Sequence, residues 1–366
     1  MHVARPSIIS NAINSTIVRH YFVLPLMRAT TLVAAAIAPA WVARTAARRF
    51  ITPPHHAHTP PELRHLQNGR RVSIASGLGK LAAWQFGDRW RPAIIMSHGW
   101  GGRGAQFREF VQPLLDGGFQ VWLFDHVSHG LSEGHEAPIT DFAKGVAAVV
   151  RAAEAEGVPI AGFVGHSLGC AGIGIALRGE LSDLKNIRVV QIAPPASLIR
   201  YSRFFARMIG LPERIRAAMQ WRIEQKIGVD WQEFEMPDAV STLTAKALVI
   251  HDQNDRDVRI ENGLTVARSW PDARFKRTHH LGHRKILRDE NVITATVDFL
   301  ADRVEFQRPP QIDEWADFPG PAPIYLRLLR SAGSSQQDSP GFTFHNGSVK
   351  AHAIRRTAYA KVGAEK

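Results

Sequence analysis

The residue most able to do chemistry in this sequence is a serine, at the centre of Gly165-His166-Ser167-Leu168-Gly169. An apolar run precedes this motif and a run of helix formers follows it, which predicts a sharp strand-to-helix turn rather than a glycine-rich packing turn. Such a turn is so tight that only small residues fit two positions either side of the serine. The start of the following helix offers free N–H groups to a developing oxyanion. The motif therefore predicts a serine nucleophile.

A serine hydroxyl is a poor nucleophile at neutral pH and needs a base within hydrogen-bond reach. Three histidines near the end of the central region, His279, His280 and His283, are candidates. A predicted final strand over 274–280 would place the first two on opposite faces. We favour His283, which follows Gly282 in the loop beyond, and keep the other two as alternatives.

The base in turn needs a carboxylate to orient it. The segment after the predicted strand 247–250 offers Asp252, Asp255 and Asp257, whereas the segment after 189–193 offers none. Asp252 is too close to the strand end to reach back easily, and Asp257 is the next choice after Asp255. We therefore predict Asp255 as the acid, and the chain order Ser167, Asp255, His283 is the one expected on this kind of sheet.

Acyl transfer also requires donors for the negative oxygen that forms during the reaction. The segment Ser97-His98-Gly99-Trp100-Gly101-Gly102 follows a predicted strand at 92–96 and is placed to supply one. We assign the two backbone N–H donors to Trp100 and Leu168, with His98 and Gly99 in support.

The elements that position these residues alternate along the chain. Short apolar runs at 92–96, 119–124, 160–164, 189–193 and 247–250 are separated by helical stretches, such as 105–115 and 142–154. This alternation predicts an α/β fold, in which a mostly parallel sheet is covered on both faces. Ligands bind beyond the strand ends of such sheets, and each motif above falls at one of them. At another such end, Asp125 to Ser132 is expected to shape the loop beneath the site, with Ser132 hydrogen-bonding locally.

Three segments surround or interrupt this pattern. Residues 1–59 form an Arg-rich helical segment and linker, 60–305 the catalytic domain, and 306–366 a Pro/Ser-rich tail expected to be largely disordered. Within the domain, 196–243 is too long for a connection and is expected to form a helical lid.

The N-terminal segment allows three interpretations. Pro25, Arg28 and Pro39 interrupt the apolar stretch 21–43, which argues against a transmembrane helix, although 29–38 resembles a short export signal. An amphipathic helix with Val42 and Phe50 on one face would instead dock on the core, or lie on an anionic membrane surface through residues 1–50. We favour docking and a cytoplasmic location. His55, His56 and His58 are interpreted as part of a solvated linker, not as a metal site.

Composition narrows the class of protein. The formal net charge is +12, but residues 1–71 hold nine Arg and one Glu, while the central region is nearly balanced. A nucleic-acid-binding domain would carry the basic patch on its folded part, so no nucleic-acid partner is expected. The single cysteine, Cys170, excludes an intrachain disulfide and is expected to be buried behind the turn.

Taken together, five blocks of residues resemble the α/β-hydrolase superfamily over 72–303. These blocks are His98-Gly99-Trp100-Gly101, Asp125 with His129-Gly130-Leu131-Ser132, Gly165 to Gly169, His251 with Asp255 and Val258, and Gly282-His283 with Leu287. The resemblance implies an eight-stranded, mostly parallel sheet, a lid after the sixth strand, and Ser167, Asp255 and His283 as the triad. More narrowly, the chain is similar to bacterial hydrolases that begin with an Arg/Ala-rich helix. It departs from them at His126-Val127, where they have a small residue and Pro.

The predicted function is hydrolysis of a carboxylic ester or thioester through an acyl-enzyme, with a small acyl substrate and without cofactor or metal. An acyltransferase or a peptidase of small amides would use the same triad, because lid and pocket select the acceptor. A non-catalytic protein that binds a small ligand is the alternative from a different class. The substrate and the oligomeric state are not predicted.

Overall fold

Eight strands form one sheet in the computed structural model, which describes residues 24–304 and 306–309. The strands are β1 Arg70–Ala75, β2 Lys80–Phe86, β3 Ala93–Ser97, β4 Gln120–Phe124, β5 Ile160–His166, β6 Arg188–Ile192, β7 Lys246–Asp252 and β8 Ala273–Thr278. Their order is β1-β2-β4-β3-β5-β6-β7-β8, with β2 antiparallel to both neighbours and β3 to β8 mutually parallel. The predicted mostly parallel sheet is confirmed.

Helices cover both faces of this sheet. They are α1 Leu24–Ile37, α2 Pro39–Ile51, α3 Pro60–Leu66, α4 Arg108–Asp116, α5 Ile139–Ala155, α6 Leu168–Arg178, α7 Leu198–Ile209, α8 Glu213–Ile227, α9 Met236–Val240, α10 Ile260–Ser269, α11 Gly282–Lys285 and α12 Glu290–Leu300. Short 3₁₀ turns at Gly104–Phe107, Trp231–Phe234 and Ile286–Arg288 complete the pattern.

The central strands are buried on both sides, which explains their unbroken apolar sequences. Along β3, Ile94 and Met96 pack into a core with α4 and α12, whereas Ile95 packs into a second core with α5 and α6. Successive side chains of a strand point to opposite faces, so each apolar run supplies both cores.

The predicted elements differ from the observed ones mainly at their ends. The last strand ends at Thr278, so His279 and His280 lie exposed in the turn after it and not on opposite faces of a strand. The predicted helix 105–115 is divided into the 3₁₀ turn Gly104–Phe107 and α4, and the predicted helix 142–154 begins earlier, at Ile139.

Helix α2 packs against the domain through its small residues. Val42, Ala43, Ala46 and Ala47 are buried, and the helix lies along α8 of the 196–243 insertion. The side chain of Phe50, close to the end of α2, stacks on Trp231 at a ring-centroid distance of 5.3 Å. The insertion itself folds as α7, α8, the turn Trp231–Phe234 and α9.

The beginning of the predicted tail is ordered against the sheet, where the Gln307 carbonyl accepts a hydrogen bond of 2.9 Å from the Phe275 N–H. The rest of the predicted tail and residues 1–23 lie outside the described residues. Within the part of the chain that the structure describes, no helix is both long and apolar enough to cross a membrane.

The packing of α2 predicts a difference between two neighbouring substitutions. Ala46→Asp would bury a carboxylate against α8 without a partner, and we expect it to lower the free energy of unfolding by about 3 kcal/mol. Thr45→Asp introduces the same charge at an exposed position of the same helix and should leave stability almost unchanged. Urea denaturation of both variants measures the effect, and equal stability would show that α2 does not contribute to the folded core.

Candidate active site

Ser167 occupies a strained turn between β5 and α6. Its backbone has φ 53° and ψ −124°, a left-handed conformation that residues other than glycine rarely adopt. A Cβ at position 165 would lie 2.8 Å from the Cys170 Cα, and one at position 169 would overlap the Ser97 carbonyl oxygen. Both glycines are therefore required by close backbone approach. Strain of this kind persists where surrounding structure enforces it, and it is concentrated at functional sites.

His283 and Asp255 form a partly buried hydrogen-bonded pair at the same edge of the sheet. The His283 Nδ1–H donates to Asp255 Oδ2 at 2.7 Å, and the Asp255 side chain is fully buried. The other carboxylate oxygen of Asp255 accepts the N–H groups of Asp257 and Val258, both at 2.9 Å. The carboxylate is thus fixed from both sides, and the imidazole keeps Nε2 available as a base.

His166 joins the loop of His283 to the serine turn. Its Nε2–H donates to the His283 carbonyl oxygen at 2.8 Å, and the two rings lie 4.7 Å apart. Burial holds the pKa of His166 well below its usual value, so this imidazole is neutral. Among the described residues, the Ser167 hydroxyl forms no hydrogen bond with His283. Catalytic hydrogen bonds often tighten only when substrate binds.

The alternative residues lie elsewhere. His279, His280 and Asp257 are exposed to solvent. Asp252, which was not predicted as the orienting acid, is buried. It forms hydrogen bonds that the sequence did not predict. Its two oxygens accept the N–H groups of Leu281 and Gly282 at 3.1 and 3.0 Å, so it fixes the backbone immediately before His283.

Burial alone would raise the pKa of Asp252, but the backbone hydrogen bonds from Gly282, Leu281 and Asn254 lower it below its usual value. The side chain is therefore a carboxylate at neutral pH. Asp252 is the last residue of β7 and pairs with Thr278, the last residue of β8. This position at the strand end was the one feature of the sequence that could have predicted a contact with the loop after β8.

Gly99 and Trp100 lie against the serine turn. A Cβ on Gly99 would be 2.8 Å from the Ser167 Cβ, so only glycine allows this approach. Neither the Trp100 N–H nor the Leu168 N–H donates a hydrogen bond to another described residue. The Nδ1–H of His98 donates to the Gly99 carbonyl at 2.8 Å and supports the loop from below.

Buried histidines fill the space beneath this loop. His98 Nε2 accepts the His126 N–H at 2.9 Å, and His129 Nε2 accepts the Gly101 N–H at 3.1 Å. Burial lowers the pKa of His98 to about 3 and that of His129 to about 4, so both are neutral at pH 7. Their role in this arrangement is to position backbone through hydrogen bonds. The local hydrogen bond expected for Ser132 is present, from its hydroxyl to the Asp125 carbonyl at 2.6 Å.

The interpretation of His58 as part of a solvated linker is wrong. Its side chain is buried, and Nε2–H donates to Asp125 Oδ2 at 2.7 Å. Asp125 Oδ1 accepts the Gly104 N–H at 2.8 Å. Burial favours a raised pKa for Asp125, but the hydrogen bond and charge of His58 lower it. The partners are 67 positions apart in sequence, so local composition contained no signal for this contact.

An apolar cavity opens beside Ser167. Its walls come from three parts of the chain: the end of α2, the loops at the strand ends, and the 196–243 insertion. The lining residues include Phe50, Ile51, Trp100, Ser167, Leu168, Ser197, Leu198, Tyr201, Ile223, Trp231, Phe234, Met236 and Val258. The lining is almost entirely apolar apart from hydroxyl groups, which suits an apolar ligand.

Across residues 24–304 and 306–309 there is no group of three or more His, Cys, Asp or Glu side chains that could hold a metal ion. Cys170 is buried, and burial raises the pKa of its thiol.

Comparison with known proteins gives a family match. The family model described as "Alpha/beta hydrolase family" matches residues 94–357. Monoglyceride lipase from Homo sapiens is 28% identical over 137 residues, which cover 33% of this chain and 45% of that protein. The chain thus spans less than half the length of this relative.

Solved structures agree with this match at the level of the fold. The esterase Pf2001 of Pyrococcus furiosus has a TM-score of 0.51 and 22% identity, covering 69% of this chain and 97% of that one. Est1E from Butyrivibrio proteoclasticus, with ferulic acid bound, has a TM-score of 0.50 and 18% identity, covering 63% of this chain and 99% of that one.

The contacts of Asp252 predict how the loop before His283 is held. In Asp252→Ala, the amides of Leu281 and Gly282 lose their acceptor, and we expect their hydrogen exchange to accelerate about tenfold or more. Asp257→Ala removes an exposed carboxylate from the neighbouring loop and should leave these amides unchanged. Amide hydrogen exchange by NMR measures both, and unchanged protection in the Asp252 variant would contradict the assigned role.

Proposed function

The chain belongs to the alpha/beta hydrolase family, and we propose that it is a serine hydrolase that cleaves a carboxylic ester. Ser167 is the nucleophile, His283 the general base and Asp255 the residue that orients the base. The observation that carries the proposal is the fixed His283–Asp255 pair at the sheet edge where Ser167 occupies its strained turn. These are the residue types and relations that activate a serine hydroxyl.

In the first step, His283 Nε2 accepts the proton of the Ser167 hydroxyl while Oγ attacks the ester carbonyl carbon. The carbonyl π electrons move onto oxygen, and the N–H groups of Trp100 and Leu168 stabilise the resulting oxyanion. One such donor typically contributes about 3 kcal/mol to transition-state stabilisation. Asp255 keeps the proton on Nδ1 and stabilises the imidazolium that forms.

Collapse of the tetrahedral intermediate breaks the bond between the carbonyl carbon and the alkoxy oxygen. The imidazolium gives its proton to that oxygen, and the alcohol leaves an acyl group on Ser167. Water then attacks the acyl-enzyme while His283 accepts its proton, and a second collapse returns the proton to Oγ and releases the acid.

The cavity supports an ester with an apolar acyl chain as substrate. Its walls offer hydrophobic contact to a chain attached at Ser167, and few polar groups to a sugar or peptide. Monoglyceride lipase and the esterases among the similar proteins have names that indicate ester substrates, which supports the same bond here.

The nucleophile is tested by substitution of two serines that line the same cavity. Ser167→Ala should abolish labelling by a fluorophosphonate probe and lower ester turnover by about 10⁶-fold. Ser197→Ala is the matched control, because the Ser197 hydroxyl caps α7 by accepting the Arg200 N–H and takes no part in the proposed reaction. It should label like the parent.

Labelling that survives in the Ser167 variant, or that disappears in the Ser197 variant instead, would overturn the assignment. Addition of a competing alcohol separates hydrolysis from acyl transfer, since transfer yields a new ester rather than the free acid. A folded parent protein that neither labels nor turns over esters would favour the ligand-binding alternative.

The position of Phe50 in the cavity wall leads to a prediction about the length of acyl chain that the protein prefers. Its ring lies in the cavity wall between Tyr201 and Trp231, at centroid distances of 5.8 and 5.3 Å. Phe50→Ala would enlarge the cavity, and we expect kcat/KM for a dodecanoyl relative to a butanoyl ester to rise about tenfold. Arg49→Ala, at the exposed neighbouring position, should leave the ratio unchanged. A series of p-nitrophenyl esters measures it, and an unaltered ratio in the Phe50 variant would place the acyl chain elsewhere.

A further inference from the structure

Helix α7 exposes part of its apolar surface, although Leu198, Ile199, Phe205 and Ile209 pack against the core. Its buried residues are the small Ser202 and Ala206, whereas the side chains of Phe204 and Met208 are 47% and 42% exposed. Phe204 and Met208 are four residues apart and therefore share one face of the helix. A surface helix normally turns such a face to the core. An apolar face directed outward indicates an apolar partner outside the fold.

Helix α1 also exposes apolar side chains. Leu26, Val33 and Ile37 fall on one helical face and are 66%, 59% and 79% exposed. The Arg28 Nε–H donates to the Met208 carbonyl at 3.3 Å, which places the two helices side by side. Trp41, near the start of α2, is 61% exposed. We call the six side chains Leu26, Val33, Ile37, Trp41, Phe204 and Met208 the apolar face.

The segments that carry the apolar face are rich in arginine, although Arg203 lies 3.8 Å from Glu213 of α8. The segments 24–51 and 198–209 contain seven arginines and no aspartate or glutamate. They are Arg28, Arg44, Arg48, Arg49, Arg200, Arg203 and Arg207. Arginines beside exposed aromatic and aliphatic residues suit a partner whose surface is anionic and whose interior is apolar.

The same helices form part of the cavity wall. Phe50 and Ile51 of α2 and Leu198 and Tyr201 of α7 line the cavity beside Ser167. Two of the helices that carry the apolar face, α2 and α7, therefore also enclose the candidate active site.

We propose that the apolar face and its arginines bind the surface of an anionic phospholipid bilayer. The arginines contact the headgroup phosphates, and the apolar side chains enter the interfacial layer without crossing the membrane. This binding does not depend on the proposed function, so Ser167→Ala should bind as the parent does. Delivery of acyl substrates from the bilayer rests on the proposed function in addition.

The test is co-sedimentation of the full chain with phosphatidylcholine vesicles containing about one quarter phosphatidylglycerol, and with phosphatidylcholine alone. The parent should partition at least about tenfold more strongly onto the anionic vesicles. Binding should fall steeply as salt approaches about 1 M, because the Debye length shrinks from about 10 Å at 0.1 M to about 3 Å.

A double variant, Trp41→Glu with Phe204→Glu, should weaken partition onto anionic vesicles about tenfold or more. Trp90→Glu is the matched control: Trp90 is 75% exposed and lies beside Arg89 and Arg91, but it belongs to the loop before the amino end of β3 and not to α1, α2 or α7. Neither Trp41 nor Phe204 lines the cavity. We therefore expect the double variant to keep the melting temperature of the parent and its rate of hydrolysis of a soluble ester, and both measurements serve as controls for retention of the fold.

Equal partition of the double variant and the parent would overturn the proposal, as would binding that ignores lipid charge or salt. A parent dimer that the double variant dissociates, with no vesicle binding by either protein, would also overturn it. That result would assign the apolar face to a second copy of the chain.

Discussion

The turn that carries Ser167 is held between two neighbouring central strands, and the rest of the candidate site is arranged around it. Gly169 lies against the Ser97 carbonyl and Gly99 against Ser167 itself, so β3, β5 and α6 meet with no room for a side chain. A left-handed conformation at a non-glycine residue costs about 1–3 kcal/mol. The buried strands on both sides supply the packing that maintains it. The same close approach brings the loop of Trp100 beside the serine.

Two levels of support hold the loops that complete the site. The first consists of carboxylates that accept backbone N–H groups: Asp255 fixes its own turn, Asp252 fixes the start of the His283 loop, and Asp125 fixes the segment after Trp100. The second consists of buried neutral histidines, such as His98 and His166, that bond to backbone of adjacent loops. Burial favours the neutral imidazole, which can donate from one nitrogen and accept at the other.

The features that could be predicted from the sequence are those that depend on a few neighbouring residues. Unbroken apolar runs specify strands buried on both faces, and the spacing around Ser167 specifies the turn, because both requirements act within a few residues. Prediction failed where a contact joins distant positions. His58, in a segment of prolines and histidines, was predicted to be solvated, yet it is buried and hydrogen-bonded to Asp125. The hydrogen bonds by which Asp252 holds the loop before His283 were not predicted. The end of β8 was also misplaced, since a strand ends where its pairing with β7 ends.

The segment that encloses the cavity lies partly outside the residues that define the family. The family model begins at residue 94, whereas Phe50 and Ile51 come from α2 and pack on the 196–243 insertion. The residues proposed for bond cleavage follow the ends of β5, β7 and β8, within the part of the chain that the family model matches. The cavity wall is formed in part by two segments, 24–51 and 196–243, that contact each other through α2 and α8. Because those segments also carry the arginines and the apolar face, we expect changes there to alter the proposed substrate choice and the proposed surface binding together, while Ser167, His283 and Asp255 stay in place.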